Sequence, residues 1–205
     1  MMIDQPVIQP TVSTDPPVPA GYSPPYLFQY PQRGLQLAGL AVFVLTALAI
    51  GYLTWLLHGS PAEVVVSFDL TGLITVIVTI LLTVAAHELL HGVVLRLMDY
   101  RVQFGFNWRL PGVYAAAFGQ FMERNHNLWT TLAPLVVINL LALPLLILPI
   151  ASVISLAFIV LLINTSGAVG DVYLAYRLLH MPRQTLLYDV SPERMLVFEP
   201  KDHCA

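Results

Sequence analysis

Charge is what this 205-residue chain has least of: 10% of its residues are Asp, Glu, Lys or Arg, against roughly 25% in an ordinary soluble domain. So few charges cannot cover the surface of a soluble globule this size, which excludes the common soluble classes. Lysine is nearly absent, Lys201 standing against eight arginines, and the net charge is −3, so no basic patch exists for nucleic acid. The single cysteine, Cys204, excludes an internal disulfide and a cysteine zinc cluster. The first 30 residues contain no apolar run, so a cleavable signal peptide is not expected, and the first apolar block is read as its own insertion signal.

What is present is apolar, 57% of residues, and it comes in four long blocks, 35–57, 71–95, 128–150 and 151–173. About 20 consecutive apolar residues are needed for a helix to cross the ~30 Å hydrocarbon layer, and each block suffices. Helices of a soluble bundle would keep one polar face, whereas these blocks are apolar nearly all round. The basic residues give an orientation. Arg33 precedes the first block, Arg96, Arg101, Arg109 and Arg124 lie between the second and third, and Arg177, Arg183, Arg194 and Lys201 follow the fourth. With four crossings all nine fall on one side, which the positive-inside rule makes cytoplasmic, with both termini there. The expectation is an all-α polytopic membrane protein of about four transmembrane helices, in the cell membrane and in contact with lipid.

Half of the 16 prolines fall in the first 31 residues. That composition reads as a disordered, Pro-rich cytoplasmic tail, 1–31, ahead of a four-helix domain, 32–180. Two stretches carry strand-like composition. Between Arg101 and Asn127 the runs "VQFGFNW" and "GVYAAAFGQF" flank Leu110-Pro111-Gly112, which suggests an interfacial β-hairpin. In the last segment, 181–205, "LLYDV" and "MLVFEP" flank Ser191-Pro192, a possible second hairpin in a short cytoplasmic tail.

The chemistry lies in the second block, which contains His87-Glu88-Leu89-Leu90-His91-Gly92. Residues i and i+4 share a helix face, so both imidazoles can reach one metal ion, zinc being the natural choice for this donor set. Glu88 is rotated by about 100° from His87, free to move a proton between water and a leaving amine. Three ionisable groups within five residues of a spanning helix are costly and mark function by default, although a polar cluster that glues helices together is the plainer alternative. A catalytic zinc needs a third protein ligand, and Asp171, in "NTSGAVGD", is the other acidic residue inside an apolar block. It lies about six residues from the cytoplasmic end of its block, as His91 does of its own, so the three can meet at one depth. Asn164, seven residues before Asp171, could bind substrate backbone or an oxyanion, or could serve only as packing glue. His58, His126, His180 and His203 read as surface histidines, and the prolines of the third block as kinks or ends.

These residues resemble a known group. A "HELLHG" helix followed by a membrane-embedded aspartate resembles the site-2 protease class of intramembrane metalloproteases. More narrowly, "HELLHG" with "NTSGAVGDVYLA" is similar to a zincin-peptidase family of membrane proteins, over roughly residues 30–188. The resemblance implies that His87, His91 and Asp171 bind zinc, that Glu88 is the catalytic base, and that the loop 102–121 presents a peptide or membrane-protein substrate in extended form. The order Gly170-Asp171 reverses the Asp-Gly of site-2 proteases. The expected function is zinc-dependent peptide-bond hydrolysis near the cytoplasmic face. The competing readings are a non-proteolytic metal-binding adaptor or sensor, and a small proton or metal transporter. Sequence leaves the substrate and the oligomeric state open.

Overall fold

The structure, a computed structural model, describes residues 16–59, 69–107, 112–192 and 194–201. It is mostly helical, with α1 at Gln32–His58, α2 at Leu70–Leu97, α3 at Arg124–Ala142, α4 at Ala151–Gly167 and α5 at Val169–Leu179. Strands β1 (Tyr26–Leu27), β4 (Phe121–Glu123), β5 (Leu186–Ser191) and β6 (Arg194–Phe198) form one antiparallel sheet in the order β1-β6-β5-β4. Strands β2 (Gln103–Asn107) and β3 (Gly112–Ala116) form a separate hairpin. The Leu110-Pro111 part of the expected turn lies outside the described residues.

Helices α1, α2 and the stretch Arg124–Ile147, which adds a 3-10 turn to α3, are each long and apolar enough to span a membrane. Asp69 caps α2 by accepting from the Gly72 N–H at 2.8 Å. Along that helix the hydroxyls of Thr75, Thr79 and Thr83 donate to the carbonyls four residues back, which satisfies these three on an apolar surface. Leu37, Leu48, Leu81, Leu82, Leu140 and Leu141 are between 62% and 70% exposed, an apolar belt far beyond what a water-soluble monomer shows.

The fourth block is not one helix as expected. It bends by 44° between α4 and α5, so three spans are continuous and a fourth exists only if the bent pair crosses as one. Gly167 and Gly170 flank the break, each costing roughly 1 kcal/mol in a helix interior, and buried Ala168 sits at the corner with φ −75° and ψ 5°.

The N-terminal segment also departs from the expected disordered tail. Residues 1–15 lie outside the described part, but the remainder is a strap laid across the sheet. Tyr22 bridges to Pro200, Tyr26 and Leu27 pair with Val197 and Leu196, and Phe28 is buried with Leu174, Leu178, Leu187 and Val197. Proline favours extended backbone, which an edge strand accepts at positions where no ladder N–H is needed. Aromatic side chains then fix the strap, with the Arg177 guanidinium 5.4 Å from the Phe28 ring centre. Sheet, strap, the end of α2 and the start of α3 gather at one end of the bundle. At the other end the His58 ring meets the Leu146 carbonyl at 2.9 Å.

Candidate metal centre

Helix α2 sets the His87 and His91 rings one turn apart, their centres separated by 4.9 Å. His87, Glu88 and His91 offer ligand atoms that all lie within 4.8 Å of one another. The bend before α5 swings Asp171 toward them, its Oδ2 3.0 Å from His87 Nε2 and its Oδ1 3.7 Å from His91 Nε2. Both Nε2 atoms therefore face one carboxylate, with Glu88 beside them.

What suits this cluster to a metal ion is the other side of each ring. His87 Nδ1 donates to Asn164 Oδ1 at 2.9 Å, and His91 Nδ1 donates to the Thr130 carbonyl at 2.8 Å. A proton fixed on each Nδ1 leaves the Nε2 lone pairs for a cation, and such outer partners orient ligating imidazoles in zinc proteins. Two imidazole nitrogens and one carboxylate, with room beside them, match the donor set of a catalytic zinc.

Of the two outer contacts, the one to Thr130 was passed over in the sequence. Pro134 stands inside α3 and has no N–H, so the Thr130 carbonyl four residues earlier has no helical partner and is free for His91. Pro134 was read as a kink, and its place four residues after Thr130 was the available signal. Asn164, named from the sequence for substrate contact or for packing, sits in a hydrogen-bond network. Its two amide hydrogens go to Asn139 Oδ1 at 2.9 Å and to the Pro134 carbonyl at 3.3 Å, and Asn139 donates in turn to Thr165 Oγ1. Only 2% exposed and with both amide hydrogens engaged, Asn164 holds His87 from behind at the wall of a small cavity.

Glu88 reaches the hairpin, where its Oε2 accepts from the Ala115 N–H at 3.1 Å. The hairpin sits against α2 because Gly92 leaves room for it. A Cβ there would overlap the Phe104 ring. Two cavities meet at this point. One of about 410 Å³ is lined by Glu88, His91, Asp171, Tyr30, Tyr114 and Asp189. The other, about 220 Å³, lies against Thr83, His87, Glu88, Val113 and Gly167. Glu88 and Val113 line both. Burial, then the carboxylates of Asp189 and Asp171, push the Tyr30 phenol upward, and burial alone pushes Asp189 up to about 7.

Among the described residues the remaining histidines stay out of the centre. His126 pairs with the Tyr100 hydroxyl, His180 with the Tyr176 carbonyl and His58 with Leu146, while His203 lies outside the described residues.

Helix, histidine pair and intervening glutamate define the class, an HExxH helix of the zincin type whose side chains could hold a metal ion. The chain belongs to the family described as "Putative zincin peptidase", whose model matches residues 80–186, from α2 to the start of β5. Neither the curated proteins nor the solved structures contain a match to the chain.

Proposed function

We propose that this chain is a membrane-embedded zinc endopeptidase that cuts peptide bonds near the cytoplasmic face, with both termini in the cytoplasm. The observation that carries the reading is the convergence of His87 Nε2 and His91 Nε2 on Asp171, with each Nδ1 tied to an acceptor and Glu88 alongside. In this proposal His87, His91 and Asp171 hold the ion. When bound, zinc would supply Lewis acidity toward the scissile carbonyl and acidify water beside it.

Glu88 takes a proton from that water and returns it to the leaving amide nitrogen. The Ala115 N–H holds its carboxylate in place from the hairpin side. Because that N–H points away from β2, it marks the free edge of β3, and a substrate in extended form can add there as a strand. Such a strand would pass Val113 and Glu88, from one cavity to the other. The apolar belt on α1, α2 and α3 supports membrane embedding, and the basic residues at the sheet end support the orientation.

Metal content and cleavage of detergent-purified protein test the reading together. About one zinc per chain, lost in His87→Ala and Asp171→Ala but kept in Glu88→Gln, with cleavage lost in all three, is the expected result. Zinc without cleavage by the wild type would favour the adaptor reading. Weak, exchangeable metal would favour transport.

A further inference from the structure

Asp189 belongs to neither the metal centre nor the hairpin, yet its carboxylate faces the larger cavity. The pleat fixes its direction. Leu187, two residues earlier, is fully buried in the cluster with Phe28, Leu174 and Leu178, and alternate residues of a strand share a face. The partners across the ladder agree, since Leu187 pairs with Val197 and Asp189 with Met195, both also in that cluster. Asp189 therefore projects from the sheet toward α5, where Asp171 and Leu174, three residues apart on one helix face, line the same cavity.

Among the described residues no side chain donates to this carboxylate and no cation pairs with it, and burial is the one influence acting on its titration. Arg194 also lines the cavity but has an interaction of its own. Phe28, Tyr30, Leu174 and Met195 give the cavity an apolar and aromatic wall, and the uncharged polar residues Gln32, Asn127, Thr130, Thr131 and Ser191 complete its lining. Withdrawing a carboxylate from water into such a wall is costly unless a partner arrives. A long cationic side chain fits both halves of this environment, its methylene stem on the apolar wall and its charged head at the carboxylate.

We propose that Asp189 is the recognition residue of a subsite for a lysine or arginine side chain of the substrate. The inference rests on the peptidase reading for its occupant, a peptide. Membrane proteins carry an excess of Lys and Arg just beyond the cytoplasmic ends of their helices. The sheet that bears Asp189 lies at the end of the bundle where this chain's own basic residues collect. A substrate helix that unwinds along β3 would bring its basic flank to that end.

Binding and cleavage are to be read separately. A library of N-acetylated decapeptides with randomised charge is passed over immobilised full-length protein carrying Glu88→Gln, so that bound peptides survive, and the retained set is sequenced. We expect at least about tenfold enrichment of Lys or Arg, the effect of roughly 1.4 kcal/mol. The enrichment should disappear with Asp189→Asn added and reverse toward Asp or Glu with Asp189→Lys added. The reversal is a gain that a misfolded variant cannot produce. Absence of charge preference in the parent protein, or the same preference after Asp189→Asn, overturns the proposal. The retained peptides are then offered to protein with Glu88 intact. If they are bound but not cut, the peptidase reading fails while the subsite stands.

Discussion

At the residue scale the histidine pair depends on groups set behind it. Thr130 offers its carbonyl to His91 because Pro134 cannot supply the N–H that would occupy it. Pro134→Ala restores that N–H. We expect zinc affinity to fall by about 10- to 100-fold, the range for loss of an outer-shell partner, while the helix itself gains stability. Competition with a chromophoric chelator measures it, and unchanged affinity would show that His91 is held some other way. Asp189 gives a second prediction, about pH. Its carboxyl is raised to about 7 in the folded chain from an ordinary value near 4, so the folded state holds more protons than the unfolded one between those limits. Its contribution to stability is therefore greatest near pH 4, falls as pH rises to about 7, and stays low above that. The ionisable groups sharing its cavity are Tyr30, Glu88, His91, Tyr114, Asp171 and Arg194. Asp189→Asn should raise the unfolding midpoint at pH 8 and lose that advantage toward pH 5, as followed by thermal melts in detergent.

At the scale of elements, a helix, a bend and a hairpin meet at Glu88. The α4–α5 bend lets two residues from one apolar block grip the same imidazole, Asn164 at Nδ1 and Asp171 at Nε2. The hairpin is seated on Gly92, where any Cβ meets the Phe104 ring. Gly92→Val should lift the hairpin from α2 and break the Ala115–Glu88 contact while His87, His91 and Asp171 stay in place. The expected signature is full zinc content with cleavage reduced by about 100-fold, within the range for a displaced proton-transfer group. Loss of zinc in the same variant would mean that the hairpin supports the metal ligands as well.

At the scale of the whole molecule, the strap ties the N-terminal segment to the sheet and, with Phe28 and Tyr30, closes one wall of the cavity. Phe28 is its anchor, 4% exposed in the cluster with Leu174, Leu178 and Val197. Phe28→Ala should cost about 3–5 kcal/mol of local stability, as for a large buried aromatic, and expose the strap to protease. Limited proteolysis of the two proteins decides it, and equal resistance would show that β1 pairing suffices without the anchor. The backbone supports the same-side placement of the two end segments, since the Lys201 N–H donates to the Gly21 carbonyl at 3.0 Å.

Much of this was legible one residue at a time. Apolar blocks announce helices because the signal is their length, and HExxH announces a shared face because the 3.6-residue period is local. The position of Asp171 was readable from its rarity in an apolar block. Tertiary structure alone decided three things. It bent the fourth block at Ala168, because flanking glycines make a break cheap without specifying an angle. It turned a proline-rich segment into a packed strap, because an extended chain becomes a strand only when an edge such as β6 is there to receive it. And it assigned Asn164 to His87, because which of an amide's hydrogen bonds are already taken depends on residues such as Asn139 and Pro134, brought up by another helix.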